Sequence, residues 1–427
     1  MTAQDILDPL LDAGQKGFPH HSAPLRRSAI GGQGWNVLRG DMPLPLAVIK
    51  RDALDGNLAW MQGFAAGHGV GLAPHGKTTM SPQLFRRQLD AGAWGLTFAT
   101  VVQLRAGVAA GARRCIIANQ VFRAIDLQGI DDLKRAHAGL QVAFLVDSIA
   151  QLELIESWHQ ASKDVQPVDV LLEIGVAGAR TGCRTHEQAL ALAQRLRASP
   201  ATRLLGIECY EGLGATGQSD ADIAYAQALM QRVRAIAKAC DEQQLFETDE
   251  ILLTAGGSAI FDLVADQLKM PLSRPVRGLL RSGCYATHDH GTYHRFMNAV
   301  AARMGCGHGL HAAMEVWAAV QSCPEPGLAI LSVGKRDISY DLELPMPIAF
   351  CPQGQAGITA APPDWKIAGL NDQHAYLRGT GAEHSALRVG DLVALGISHP
   401  CTTFDKWRWI PLVDAQYNVC DAIVTCF

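Results

Sequence analysis

One lysine in this chain sits where an amine could do covalent chemistry. Lys77 lies in V-G-L-A-P-H-G-K-T-T-M-S-P, residues 70–82, at the mouth of a short apolar run and between a glycine and two threonines. An ε-amine in that setting can form a Schiff base, and pyridoxal phosphate is a cofactor aldehyde held in this way. The same residues, Gly71 to Thr78, also satisfy the G-x-x-x-x-G-K-[ST] phosphate-loop pattern of nucleotide-binding proteins. Context weighs against that second reading. Gly63, Gly67, His68 and Gly69 precede the motif where an apolar strand is needed, Pro74 lacks an amide donor, and Pro82 follows closely. V-A-F-L-V-D at 142–147 imitates the magnesium-binding strand of such proteins, but strands of this kind occur in any α/β protein.

Further groups could complete a Schiff-base site. T-A-G-G-S, Thr254 to Ser258, ends an apolar run before a helical stretch, so Gly256 and Gly257 can bring backbone amides to a phosphate while Ser258 caps the helix. R-S-G-C-Y, Arg281 to Tyr285, ends the next run. Arg180, in E-I-G-V-A-G-A-R, could face a cofactor ring; a guanidinium is no acid near neutrality, so it would leave a pyridine nitrogen unprotonated and the ring a weaker electron sink. Tyr210 could pack on the cofactor or bond its phosphate. Help for a weak electron sink could come from a metal. His399 and Cys401 stand two apart in S-H-P-C, so on an extended chain they point the same way, and imidazole and thiolate suit zinc in an open site. The cluster His288, Asp289, His290 and His294 competes for that role, and spacing does not choose between them.

These residues need elements to hold them. From the lysine segment onward, short apolar runs alternate with amphipathic stretches. The expected strands are Val70 to Ala73, Gly95 to Ala99, Cys115 to Ala118, Val142 to Val146, Val168 to Glu173, Leu204 to Cys209, Ile251 to Thr254 and Val276 to Leu280, with helices between them. Eight such units predict a (β/α)8 TIM barrel, with a doubly wound open sheet as the alternative. In a barrel the strands' C-terminal ends carry the chemistry, and phosphate sites often involve the loops after strands seven and eight, where T-A-G-G-S and R-S-G-C-Y fall. Beyond Tyr285, A-I-L-S-V-G, Y-L-R and D-L-V-A-L-G-I-S are separated by Gly, Pro and Asp, which predicts an antiparallel β-domain. The expected organisation is an N-terminal arm over 1–45 that joins the β-domain, a barrel over 46–295, and a β-domain over 296–427 carrying the metal ligands.

Bulk properties exclude several partners. The 427 residues carry 37 basic and 41 acidic side chains, a formal charge of -4, without a basic run that would mark nucleic acid or a membrane surface. An acidic N-terminus without a signal pattern, and the lack of an apolar run of about 18 residues, predict a cytoplasmic protein. Eleven cysteines without a C-x-x-C pair predict reduced thiols.

The combination resembles the D-serine dehydratase-like and D-threonine aldolase-like family of pyridoxal phosphate enzymes, of the alanine racemase fold type. The residues that carry it are P-H-G-K-T at 74–78, E-I-x-V-x-x-x-R ending at Arg180, G-I-E-C-Y-E-G at 206–212, R-S-G-C-Y at 281–285 and H-P-C at 399–401. The resemblance implies a barrel plus β-domain working as a homodimer. By it Lys77 carries the cofactor, Arg180 faces the pyridine nitrogen, and Tyr210, Thr254, Gly283 and Cys284 contact the cofactor. It also implies that His399 and Cys401 hold a divalent metal, zinc, with manganese or magnesium as alternatives. Gly175 stands where relatives commonly have aspartate, a second tyrosine near position 217 is missing, and cysteine at 401 resembles the dehydratase branch. The implied reaction is elimination of water from D-serine, D-threonine or 3-hydroxy-D-aspartate to a 2-keto acid and ammonia, with Lys77 removing the α-proton and the metal assisting the β-hydroxyl. Retro-aldol cleavage to glycine and an aldehyde is the alternative. Racemisation would not need the metal pair. A nucleotide-binding protein and a non-catalytic cofactor carrier are the alternatives from other classes.

Overall fold

The computed structural model describes residues 3–427 apart from 308. After a short two-stranded pair, Leu10–Leu11 with Leu25–Arg26, and the strand Leu46–Lys50 (β1), eight strands follow: Gly71–Leu72 (β2), Leu96–Phe98 (β3), Arg114–Gln120 (β4), Gln141–Val146 (β5), Val168–Ile174 (β6), Thr202–Cys209 (β7), Ile251–Ala255 (β8) and Val276–Leu280 (β9). They form one sheet in the order β2-β9-β8-β7-β6-β5-β4-β3. The parallel bridge His75↔Thr97 and the hydrogen bond from Thr97 Oγ1 to the Ala73 carbonyl, 2.6 Å, join its ends. A doubly wound sheet keeps two open edges; here they meet, and the architecture is a barrel. Helices Pro82–Asp90, Val101–Ala109, Ala124–Ala136, Ile149–Ala161, His186–Ala198, Ser219–Glu242 and Phe261–Ala265 follow β2 to β8 in turn. Ser81, Thr100, Ser148 and Thr185 each accept an amide of the helical turn they open, which fixes where strand gives way to helix.

The strand period of two sorts the barrel interior into layers. Ala73, Ile116, Ala143, Leu145, Leu171, Leu252 and Leu279 form an apolar plug inside the sheet. Two residues further along these same strands, toward their C-terminal ends, stand His75, Asp147, Glu173, Thr254 and Arg281. Glu208 joins them, paired with Glu173 on one side and Thr254 on the other. The barrel thus ends in a polar layer on a dry floor.

The second unit is a ten-stranded, mainly antiparallel sheet. Strand β1 belongs to it, pairing with Met314–Glu325 and with Trp409–Val413. This corrects the expected start of the barrel at 46. Leu46, Ala47, Val48 and Ile49 are all buried, and a strand buried on both faces suits either sheet, so its pattern does not reveal which it joins. The arm packs on the same sheet: Arg27 Nη1 meets Asp421 Oδ1 at 2.6 Å, and Asn36 bridges to Asn418. Among the described residues no helix is long and apolar enough to cross a membrane.

Candidate active site

Lys77 lies in a single helical turn, Gly76–Thr78, just beyond β2. A Cβ at Gly76 would come within 2.6 Å of the Phe98 ring and 2.8 Å of the Phe85 ring, so only glycine lets the turn lie against those rings. Lys77 itself is exposed while Gly76, Thr78 and Thr79 are buried. The chain from β2 stays extended to the His75 bridge, and the following helix starts only at Pro82. A phosphate loop would instead wrap its lysine onto a helix start, so this geometry does not support the nucleotide reading.

The polar layer beside the lysine contains atoms without protein partners. Arg281 is buried and ion-paired with Glu208, yet its Nε and Nη1, the Glu208 Oε2, the Thr254 Oγ1 and the His75 Nδ1 are buried with no hydrogen bond. An unsatisfied buried group costs about 1–3 kcal/mol, and such atoms are rare in folded proteins. Burial, reinforced by the charges of Lys77, Arg281 and Arg180, holds His75 well below its ordinary pKa, so three cations converge on one imidazole. Burial also pushes Glu208 up to about 7 against the pull of Arg281. Orphaned donors and acceptors and three cations, one of them the exposed Lys77 amine, fit a polar, anionic aldehyde such as pyridoxal phosphate.

The predicted phosphate cradle needs correction. The amides of Gly256 and Gly257 donate to the buried carboxylate of Glu211, at 3.0 and 2.7 Å, so the chain fills that cradle itself. Ser258 does not cap the helix, which begins at Phe261 with Ile260 before it; its Oγ accepts the Gly283 amide at 3.3 Å. The two glycine turns do meet, because Ser282 Oγ also donates to the Gly257 carbonyl at 2.6 Å. Gly283 in turn lies against the lysine segment: a Cβ there would come within 2.6 Å of the His75 carbonyl and 2.9 Å of Thr78 Oγ1.

Arg180 is exposed at the rim, its guanidinium 4.8 Å from the Tyr210 ring centroid. Burial raises the Tyr210 phenol to about 12, so it stays protonated. Gly175 has a physical explanation. A Cβ there would lie 2.0 Å from Arg184 Nη1 and from the Thr181 carbonyl, and Arg184 occupies the space, donating to the carbonyls of Thr181, Gly182, Ala179 and Arg180.

The second unit reaches this mouth through its S-H-P-C turn. Cys401 Sγ is 3.3 Å from Thr78 Oγ1, one residue beyond Lys77, and 3.9 Å from Cys284 Sγ. Hydrogen bonding from Cys284, then from His399 and Thr78, overcomes burial and holds the Cys401 thiol well below its ordinary pKa. Cys284 moves the opposite way, raised by its bond to Cys401 and by burial. Burial disfavours charge on His399, but its bonds to Cys401 and Asp341 outweigh this and raise it to about 9. An imidazole and a thiolate in contact, with the imidazole's other nitrogen on a carboxylate, is a donor set that fits a divalent metal such as zinc.

The histidine cluster has a different character. Asp289 Oδ1 accepts the amides of Gly291, Tyr293 and His294, opening the helix Thr292–Met304. Burial lowers His288 to about 3 and His290 to about 4. Among the described residues no group of three or more His, Cys, Asp or Glu side chains is arranged to hold a metal. Asp289 is thus committed to backbone amides, whereas His399 and Cys401 face each other at the cleft.

Sequence reasoning passed over Glu208, Glu211, Asp341 and the buried side chain of Arg281. Glu208 and Arg281 carried a usable signal, each lying at the C-terminal end of a barrel strand with an inward-facing side chain. Glu211 and Asp341 carried none.

Comparison with known proteins agrees with this architecture. Residues 49–275 match the family profile described as "Alanine racemase, N-terminal domain", and residues 313–413 match "Putative serine dehydratase domain". The chain belongs to the alanine racemase N-terminal domain family. It is 28% identical to a D-threonine aldolase of Arthrobacter sp, over 84% of this chain and 86% of that enzyme. It is 30% identical to a D-threo-3-hydroxyaspartate dehydratase of Delftia sp. (strain HT23), over 35% of this chain and 38% of that enzyme. Among solved structures, D-threonine aldolase from Filomicrobium marinum superposes with a TM-score of 0.76 at 22% identity, covering 92% of this chain and 97% of the other. The Delftia dehydratase superposes at 0.71 with 23% identity, covering 92% and 99%. A Cys-to-Ala variant of a D-threo-3-hydroxyaspartate dehydratase has been solved in its metal-free form.

Proposed function

We propose that this chain is a pyridoxal phosphate- and metal-dependent lyase of D-3-hydroxyamino acids that eliminates water to give a 2-keto acid and ammonia. One observation carries the reading. Cys401, from the second unit, stands 3.3 Å from the hydroxyl of Thr78, next to Lys77, so a thiolate–imidazole pair and an amine share one cleft. The lyase class is supported by relatives matching most of the chain, the D-threonine aldolase and a 3-hydroxy-D-aspartate aldolase of Paracoccus denitrificans.

When bound through Lys77, the cofactor supplies an electron sink for the bonds at the substrate's α-carbon. The metal supplies Lewis acidity toward the β-oxygen. The chain's residues do the rest. Lys77, exposed at the barrel mouth, would hold the cofactor through its ε-amine and, as a free amine, would serve as the base for the α-proton. Arg180 would face the ring nitrogen, with Tyr210 beside it as a neutral phenol. Thr254, Gly283 and Cys284 would contact the cofactor, and His399 with Cys401 would hold the metal. Arg281, with two unpaired donors, adds fixed positive charge. Glu211 takes the amides of Gly256 and Gly257, so the phosphate depends on other donors of these loops, Ser258 among them.

Retro-aldol cleavage to glycine and an aldehyde is the second reading, favoured by the long match to the D-threonine aldolase. Elimination is preferred because the ligand beside His399 is a cysteine, as in the dehydratase branch that the sequence resembles. Incubating the holoenzyme with D- and L-serine, threonine and 3-hydroxyaspartate, with and without chelator, separates the readings. Ammonia and keto acid from a D-substrate support elimination; glycine and aldehyde support the aldolase; neither product from any substrate removes the lyase reading.

A homodimer belongs to the same proposal. Val102, Phe122 and Ile125 are 74%, 45% and 72% exposed at the helix starts around the barrel mouth, an apolar rim that suits a second copy. Sedimentation of the holoenzyme as a monomer would remove this part.

A further inference from the structure

A metal held by two protein side chains has little protein geometry to fix it, so the orientation of each ligand matters more than in a closed site. His399 illustrates how that orientation is set. Its Nδ1 lies 2.6 Å from Asp341 Oδ2, and the hydrogen bond it shares with Cys401 therefore falls to Nε2. The other carboxylate oxygen, Asp341 Oδ1, accepts from Thr402 Oγ1 at 2.6 Å, so the carboxylate is gripped on both sides. Around it the segment 339–343 is laced to 398–403. The Ser339 amide donates to Thr403 Oγ1 at 3.1 Å, and Ser398 Oγ donates to the Glu343 carbonyl at 2.8 Å. His399 is partly buried and Asp341 more open, with side chains 22% and 39% exposed, so the pair borders the cleft.

We propose that Asp341 is a positioning residue for the metal pair. It holds the Nδ1–H tautomer of His399 and aims the Nε2 lone pair at the point that Cys401 also faces. A carboxylate accepting the outer N–H of an imidazole fixes the ring's rotation and makes the inner nitrogen a better donor. The segment 339–343 would thus act on the metal pair through His399 rather than as a ligand.

The inference rests on the metal reading of the proposed function, and the test separates the two. Zinc affinity of the cofactor-loaded enzyme is measured by competition with a chromophoric chelator for wild type, Asp341→Ala, Asp341→Asn, Thr402→Val and His399→Ala, with cofactor absorbance as the check on folding. Asp341→Ala should bind zinc about 10- to 100-fold more weakly, and Asp341→Asn, which keeps an acceptor oxygen, should fall between it and wild type. Thr402→Val loosens the segment without altering the tautomer and should stay within about twofold of wild type. Wild-type affinity in Asp341→Ala, with affinity lost in His399→Ala, overturns the inference alone. Thr402→Val weakened as much as Asp341→Ala also overturns it, because the carboxylate would then only fasten the loop. Wild-type affinity in His399→Ala overturns the inference and the metal reading together.

Discussion

The two walls of the cleft are built on different principles. The barrel wall is dry and paired from below: Glu208, Thr254 and Arg281 are fully buried on an apolar plug. The wall from the second unit is open: His399, Cys401 and Thr402 are partly exposed on a short turn, held by hydrogen bonds to the exposed Asp341 of a neighbouring segment. Burial makes the first wall costly to disturb. Solvent makes the second forgiving in stability but sensitive in geometry. In the proposed function, the cofactor-bearing Lys77 would thus stand beside the rigid wall, and the metal pair on the adjustable one.

Substitutions on either wall can break this contrast. The largest expected effect is Lys77→Ala, which should remove both lyase activity and the visible absorbance of lysine-bound cofactor; retention of that absorbance would move the attachment elsewhere. His399→Ala, or chelation, should lower activity by about 10³-fold, from the several kcal/mol a Lewis acid supplies, while leaving the absorbance intact. Glu208→Ala strands the Arg281 charge in the barrel and should cost about 3–5 kcal/mol in urea unfolding, against less than 1 kcal/mol for an exposed pair such as Arg86 with Asp90.

A smaller effect is expected where the walls are joined. Gln83 accepts the Val424 amide at 3.0 Å and donates to the Leu7 carbonyl at 2.9 Å. Gln83→Ala leaves these groups unpaired, should cost about 1–3 kcal/mol, and should reduce activity without changing the absorbance. A pH effect belongs to the barrel wall. Burial raises Glu208 above its ordinary 4.5 to about 7, so its stabilising contribution is present below about 4.5 and lost as pH rises through 7. Glu208→Gln lacks this loss, and the wild-type unfolding midpoint should fall relative to it across that window. A gap that is constant with pH would mean that the Arg281 ion pair keeps Glu208 ionised throughout.

Much of the first wall was legible. Leu171 and Glu173, or Leu252 and Thr254, stand two apart because a strand alternates faces, and the TIM-barrel rule places such residues at the mouth. The strand and helix spans follow from this periodicity and from capping residues such as Thr185. Loops were less legible. T-A-G-G-S reads as an anion cradle, but whether an external phosphate or Glu211 fills it depends on a carboxylate 45 residues before Gly256 in the chain.

Taken alone, the order of residues determined the barrel, the second β-unit, the lysine at the first strand's end and the histidine–cysteine pair, since each is a local pattern of period, spacing or residue type. Only the folded chain decided that Cys401 stands against Thr78, 323 positions away, that Arg281 turns inward onto Glu208, and that β1 leaves the barrel for the other sheet. Such contacts depend on how separate elements stack and close. No periodicity within one element encodes which distant side chain will face it across a cleft.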